Sequence, residues 1–500
     1  MTIAAMSVAM MAGSLAAPAL AQKSKSKSAA TQGVPNRPED IVFRELKFDP
    51  PNREDYRREL SNGVVVYMAP SNELPLVNIT YSFKGGEYLV PAGKEGLAQM
   101  TAAMMRRGGT QTVSASEMDE TFDFLAANAG VFSGGVTSGA NLNSLTSNLD
   151  ESFGLFMDML KHPGFDEAKT EIYRSEVLEN LKQRNDNAAS ISGREWRALM
   201  YGEDHFEARE PTRQSVESIT IEDMREFHSK VFNRANLIIG VSGDFEESAM
   251  LQMLENATAD MPRGTPNPEP PAPRAQTEPG VFFIEKDIPQ GRVIIGQRAI
   301  NRDHPDYFPM MLMNDVLGGG GFTSRLMKRI RSDEGLAYGA GSNLIAPYYY
   351  PGQWQAGFQS KSRTVAYAAK IVFDELERVR TEPISDAELN VAKNQFIETF
   401  PRTFESRQAI VGVFIDDERT NRARDYWETF REKIRAVTPE DMLGAAQRHL
   451  DPEKLSVLIV GNWDDIKAGD LEGRATMTEF FDGRSTEIPL KDPETLKPMK

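Results

Sequence analysis

Cysteine is absent from all 500 residues, which excludes a disulfide framework, a thiol nucleophile and a lipid-modified cysteine. A basic surplus is also missing. Against 57 Lys and Arg stand 73 Asp and Glu, and the net charge of −16 repels nucleic-acid phosphates and anionic membrane surfaces, so neither is expected as a partner. Histidine is scarce: His162, His205, His228, His304 and His449 are the full set, and no two lie three or four residues apart. That spacing excludes a helical His pair for zinc, and each one reads as a surface or turn residue, with His162-Pro163 and His304-Pro305 as turn starts. There is no Gly-x-Ser-x-Gly elbow and no phosphate loop ending in Gly-Lys-Ser/Thr, and beyond residue 21 no apolar run is long enough to span a bilayer.

What is present is a chain with 40% hydrophobic residues, enough for a large core and two to four domains at roughly 100–200 residues each. Residues 1–21 are uncharged, rich in Ala, Met, Leu and Val, and end in Ala19-Leu20-Ala21, the small-residue pattern of a signal-peptidase site. The start, Met1-Thr2-Ile3, lacks the usual basic residues. Cleavage after Ala21 and a periplasmic or secreted location are expected. Residues 22–40 form a Lys/Ser/Ala/Pro tether with little to bury, and folding is expected to begin near Ile41.

A second low-complexity stretch, residues 262–280, is dense in proline and divides the chain into segments 41–261 and 281–500. The two segments repeat one plan. Thr220-Ile221-Glu222-Asp223-Met224 recurs 218 residues later as Thr438-Pro439-Glu440-Asp441-Met442, and LIIGVSG from Leu237 recurs at the same offset as LSVLIVG from Leu455. Each copy predicts a helix with a Thr N-cap and first-turn carboxylates, followed by a buried strand. Both segments open with strand-like runs, 63–69 and 77–84 in the first and 280–284 and 293–297 in the second, and long helical patterns follow, among them 167–184 and 365–377. The mixture predicts an α+β fold of two homologous domains, each an antiparallel sheet packed with helices. Met100, Met104, Met105, Met310, Met311 and Met313 sit at helical spacing as core fillers.

Gly96-Leu97-Ala98-Gln99 through Gly108-Gly109-Thr110 resembles the segment that carries the inverted zinc motif His-x-x-Glu-His in the pitrilysin-type (M16) metallopeptidase family. At the matching positions this chain has Gln99 for the first His, Ala102 for the Glu and Ala103 for the second His, while Glu179 falls at the family's downstream acidic ligand. One carboxylate cannot build a catalytic zinc site, and Glu179 reads as a relic or a solvated helix carboxylate. Tyr201 to His205 and Asp303 to Tyr307 match further anchors, and Leu317 to Tyr338 is similar to the family's Gly-Gly…Ser-Arg-Leu…Arg…Gly-Leu-Ala-Tyr signature. Gly318 to Gly321 is then a turn before a helix rather than a phosphate cradle.

In that signature an Arg and a Tyr seven residues later reach the substrate carbonyl beside zinc; here they are Arg331 and Tyr338. From the residues alone, 324–332 reads as a helix capped by Gly335, with Arg331, Lys328 and Arg329 on a solvated face and Tyr338 in the core. The resemblance reverses that reading. It implies two homologous domains forming half of a clam-shell chamber, a chain inactive alone that binds no cofactor itself, and a homologous His-x-x-Glu-His partner that carries zinc. Together they would form a metalloendopeptidase acting on unfolded peptides, with Arg331 and Tyr338 supplied to the partner's site. An inert peptide-binding or assembly protein of the same fold is the alternative.

Overall fold

In the run Leu76–Lys84, Val77, Ile79, Tyr81 and Phe83 alternate with polar residues, and all four are buried along one strand. The computed structural model describes residues 47–274 and 277–499; the expected signal segment, the tether and the start of folding near Ile41 lie outside them. From Phe48 onward the chain forms one compact unit. Its first sheet contains β1 (Arg57–Glu59), β2 (Val65–Pro70), β3 (Leu76–Lys84), β4 (Asn128–Gly134), β5 (Thr137–Leu145) and β6 (Leu237–Gly243), in the spatial order β1-β2-β6-β3-β5-β4. The second contains β7 (Gly280–Glu285), β8 (Gln290–Arg298), β9 (Ala337–Ile345), β10 (Gln353–Lys361), β11 (Ser456–Gly461) and β12 (Ser485–Glu487), in the order β12-β7-β11-β8-β10-β9.

Apart from the outermost β1 and β12, the two orders are the same list, with β2, β6, β3, β5 and β4 answered by β7, β11, β8, β10 and β9. The repeat seen at Thr220 and Thr438 therefore extends through both halves. Each Thr closes a capping box with the Asp three residues on, opening the helices Ile221–Val231 and Pro439–His449. The fold is α+β as expected, but the sheets are mixed rather than antiparallel. β2 runs parallel to β6, with Val65 opposite Ile238, and β7 runs parallel to both β11 and β12. The physical reason is the long helical connection before β6 and β11, which lets a strand enter the sheet in either direction.

Those inserted strands are buried on both faces, and the second cover comes from the other half. The helix Ala188–Tyr201 lies on β8 and β11, where Ile191, Trp196 and Met200 meet Phe282, Ile294 and Leu458. Its counterpart Arg407–Arg419 lies on β2 and β6, where Val411, Phe414 and Ile415 meet Tyr67 and Ala69. Glycines receive both helices: a Cβ at Gly240 would sit 2.4 Å from Val411 Cγ1, and one at Gly296 would sit 3.0 Å from the Trp196 ring. The halves thus exchange one helix each. Among the described residues no helix is long and apolar enough to cross a membrane.

Candidate functional site

The degenerate motif lies on the helix Leu97–Arg107, which buries Leu97, Ala98, Met100, Thr101, Ala102, Met104 and Met105 against the first sheet. Ala102 is in that buried set, Ala103 is half-buried and Gln99 is exposed. Beside the helix, burial pushes the Glu87 carboxyl up, an effect opposed by the Gln99 side chain and the Arg209 guanidinium. Glu179 lies on the helix Glu167–Lys182, which a bidentate pair between Arg107 and Glu176, at 2.8 and 3.0 Å, ties to the motif helix. Glu179 itself is exposed and accepts from Lys182 Nζ at 2.7 Å.

An amide, two methyl groups and a carboxylate already matched by an ammonium are not a zinc donor set, which needs about three N, S or O ligands around an open position. The residues present do not fit the metal.

The other sequence-predicted pair is brought together. Residues 324–332 form the expected helix, but over Met327–Asp333 it widens into a π-turn, in which Glu334 N–H donates to Arg329 O. Gly335 follows at φ +63°, and Leu336 N–H closes the turn onto Ile330 O at 2.8 Å. Such wide turns are rare and concentrate at functional sites. β9 then begins with an irregularity. Ala340 pairs with Phe358 and Ala337 with Ser360, so Tyr338 and Gly339 together oppose Gln359 in a β-bulge. The bulge swings Tyr338 out of the sheet, and its ring is 91% exposed rather than in the core.

The Arg331 guanidinium carbon lies 5.1 Å from the Tyr338 ring centroid and 4.7 Å from that of Phe322, itself 73% exposed. Its basic neighbours have ordinary structural roles. Arg325 forks onto Glu388 at 2.7 and 2.9 Å, holding that carboxyl down at about 2, and Arg329 reaches the fully buried Glu375 at 3.0 Å. Among the described residues, no carboxylate comes within ion-pair distance of Arg331. A guanidinium stacked on rings keeps its in-plane N–H donors free, and Tyr338 presents a phenolic O–H beside it, so the pair can hydrogen-bond one carbonyl.

Phe322 was not anticipated; an aromatic residue within a glycine run is its one signal. The structure also unites residues that sequence spacing keeps apart. His304, Asp306 and His449 place ligand-type atoms within 4.8 Å of one another, with His449 Nε2 at 2.6 Å from Asp306 Oδ2. Arg448 occupies the same carboxylate through two bonds of 2.8 Å, and together Arg448 and His449 hold Asp306 down at about 2. His205, expected as a surface or turn residue, lies in the turns after Tyr201 but is buried among Tyr201, Phe206 and Tyr350, and burial lowers its pKa.

Residues 218–396 match the family described as peptidase M16 inactive domain. The "Non-peptidase homolog YmxG" of Helicobacter pylori is 24% identical over 411 residues, 81% of this chain and 94% of that protein. Among solved structures, the peptidase M16 inactive domain from Pseudomonas fluorescens shares the fold at a TM-score of 0.73 and 24% identity, covering 81% of this chain and 97% of that one. The periplasmic protease PqqL from Escherichia coli does so at 0.67 and 15% identity, covering 84% of this chain and 48% of that one. The sequence of residues 218–396 thus carries the M16 inactive domain, and the fold shared with the Pseudomonas fluorescens protein of that description extends over both halves of the chain.

Proposed function

We propose that this chain is the non-zinc subunit of a heteromeric M16-type peptidase, closing a chamber over unfolded peptides and presenting Arg331 and Tyr338 to the scissile carbonyl. The observation that carries the reading is the half-buried Arg331 stacked on the exposed Tyr338 ring, which a bulge raises, with no carboxylate among the described residues paired to Arg331, in a chain whose own motif positions hold Gln99, Ala102 and Ala103. Zinc and the activated water belong to a homologous partner chain with an intact His-x-x-Glu-His motif. This chain's work is to bind and orient the peptide, and to stabilise charge on its carbonyl oxygen through a guanidinium and a phenol. The uncharged segment 1–21 ending in Ala-Leu-Ala supports export, and a periplasmic protease of the same fold is consistent with that compartment.

Size-exclusion chromatography of this chain with candidate His-x-x-Glu-His chains from its own host tests the assembly. A stable complex that cleaves an unfolded peptide, when neither chain does so alone, is the expected result. The name of the Helicobacter pylori relative favours a second reading, a peptide-binding or assembly protein without cleavage. A complex that binds peptide and never cleaves it would establish that second reading.

A further inference from the structure

A separate cavity of about 310 Å³ lies beneath the glycine-rich turn that precedes Phe322. Asp315 opens that turn, a π-turn over Asp315–Gly319, and is 5% exposed. The side-chain oxygen of its neighbour Asn314 is doubly engaged: Asn314 Oδ1 accepts from Ser342 Oγ at 2.8 Å and from Trp354 Nε1 at 3.0 Å. Asp315 has no such support. Its carboxylate makes no hydrogen bond or ion pair among the described residues, and none of the residues lining the cavity is Lys, Arg or His. The space it needs is kept open by a glycine, since a Cβ at Gly320 would sit 3.1 Å from Asp315 Oδ2.

A buried carboxylate without a partner is among the costliest groups a fold can hold, and it is retained where something else supplies the opposite charge. The walls indicate what that is. Met311, Leu344 and Phe396 provide apolar surface, while the amides of Asn343 and Gln395 offer neutral oxygen acceptors. One carboxylate among apolar walls is a poor cage for a divalent metal, which takes several oxygen ligands. It suits a hydrocarbon stem with a cationic tip.

We propose that this cavity binds an alkylammonium or alkylguanidinium group, as at the end of a peptide lysine or arginine, with Asp315 as its counter-ion. Burial raises the Asp315 carboxyl to about 6, so it is largely ionised and uncompensated at neutral pH. The chain's net charge of −16 draws cationic ligands toward it. This site is independent of Arg331 and Tyr338, and its test needs neither a partner chain nor turnover.

Calorimetric titration of the full chain at pH 7.5 would compare N-acetyl-lysine methylamide, its neutral norleucine isostere, butylammonium, and a short peptide bearing one lysine. The lysine probes are expected to bind at least about tenfold more tightly than the norleucine probe, and Asp315→Asn should erase that preference. Leu344→Trp keeps the carboxylate but fills the cavity, and should abolish binding of every probe. Butylammonium binding as tightly as the lysine peptide identifies a free amine as the natural ligand; a clear advantage for the peptide identifies a side chain. Equal binding of the lysine and norleucine probes, or a lysine preference that survives Asp315→Asn, would overturn the proposal.

Discussion

Phe414 gives the sharpest test of the exchanged helices. It sits at the centre of the helix Arg407–Arg419 with its ring 1% exposed, 5.7 Å from Tyr67 of the first sheet and 5.6 Å from Tyr56. Phe414→Ala removes a ring between two rigid layers, β2 and β6 on one side and Phe404 on the other, so the gap has little chance to collapse. Truncations of this kind cost about 3–5 kcal/mol. Because the helix belongs to the second half and its seat to the first, the loss should also weaken the coupling between them. Urea unfolding followed by near-ultraviolet circular dichroism should show one transition for the parent. The variant should unfold at lower urea, with its transition broadened or split, which makes a single unfolding free energy inapplicable to it. Phe124→Ala, at a side chain 85% exposed, is the control and should stay within about 0.5 kcal/mol of the parent. A Phe414→Ala curve that overlays the parent's would refute the account of this interface.

Other consequences can be measured on the isolated chain. Glu388 is held down at about 2 by Arg325, below its unfolded value, so the pair stabilises the fold above pH ~4.5 and the contribution fades as pH falls toward 2. After discounting for partial exposure, Glu388→Gln should cost about 1–2 kcal/mol at pH 7, with the gap to the parent narrowing below pH ~4.5 in melts across pH. Asp315 has the opposite sign. Its raised value favours the folded state only while it is protonated, so stability is lost as pH rises through about 6, and Asp315→Asn should be more stable than the parent by about 1–3 kcal/mol at pH 7.5 and nearly equal to it at pH 4. Elemental analysis of the purified chain should find far less than one zinc per molecule, with any background peptide cleavage unaffected by chelator. Stoichiometric zinc with chelator-sensitive cleavage would contradict the reading of Gln99, Ala102 and Ala103.

Much of the architecture was legible because local chemistry is repeated. A Thr N-cap with an Asp three residues on and an apolar heptapeptide at a constant offset announced the two halves before any coordinates. Strand direction was less accessible. LSVLIVG is buried at every position of β11, and the continuous apolar run is itself a sign of a strand covered on both faces, which belongs with parallel pairing as readily as with antiparallel. The exchange of Ala188–Tyr201 and Arg407–Arg419 leaves no local mark, since an apolar helix face looks the same whichever sheet receives it. At the site, the absence of the motif's His residues at 99 and 103 and of its Glu at 102, and the presence of Arg331 and Tyr338, were readable one by one. The exposure of Tyr338 beneath the Arg331 guanidinium was not. It depends on a π-turn and a bulge, both of which arise from register between segments rather than from composition. The unpartnered state of Asp315 and the meeting of His304 with His449 are likewise products of tertiary packing.

The central claim, that Arg331 and Tyr338 serve a partner's active site, is tested most directly by the turnover rate of the reconstituted pair carrying Tyr338→Phe. The substitution removes one hydroxyl from an exposed ring, so folding and complex formation should be unchanged by calorimetry and size-exclusion chromatography. If the phenol donates to the carbonyl oxygen as charge develops there, kcat falls by ~10²–10³ while assembly is intact. Cleavage at the parental rate by a fully assembled Tyr338→Phe complex would contradict the claim and leave this chain as a structural subunit.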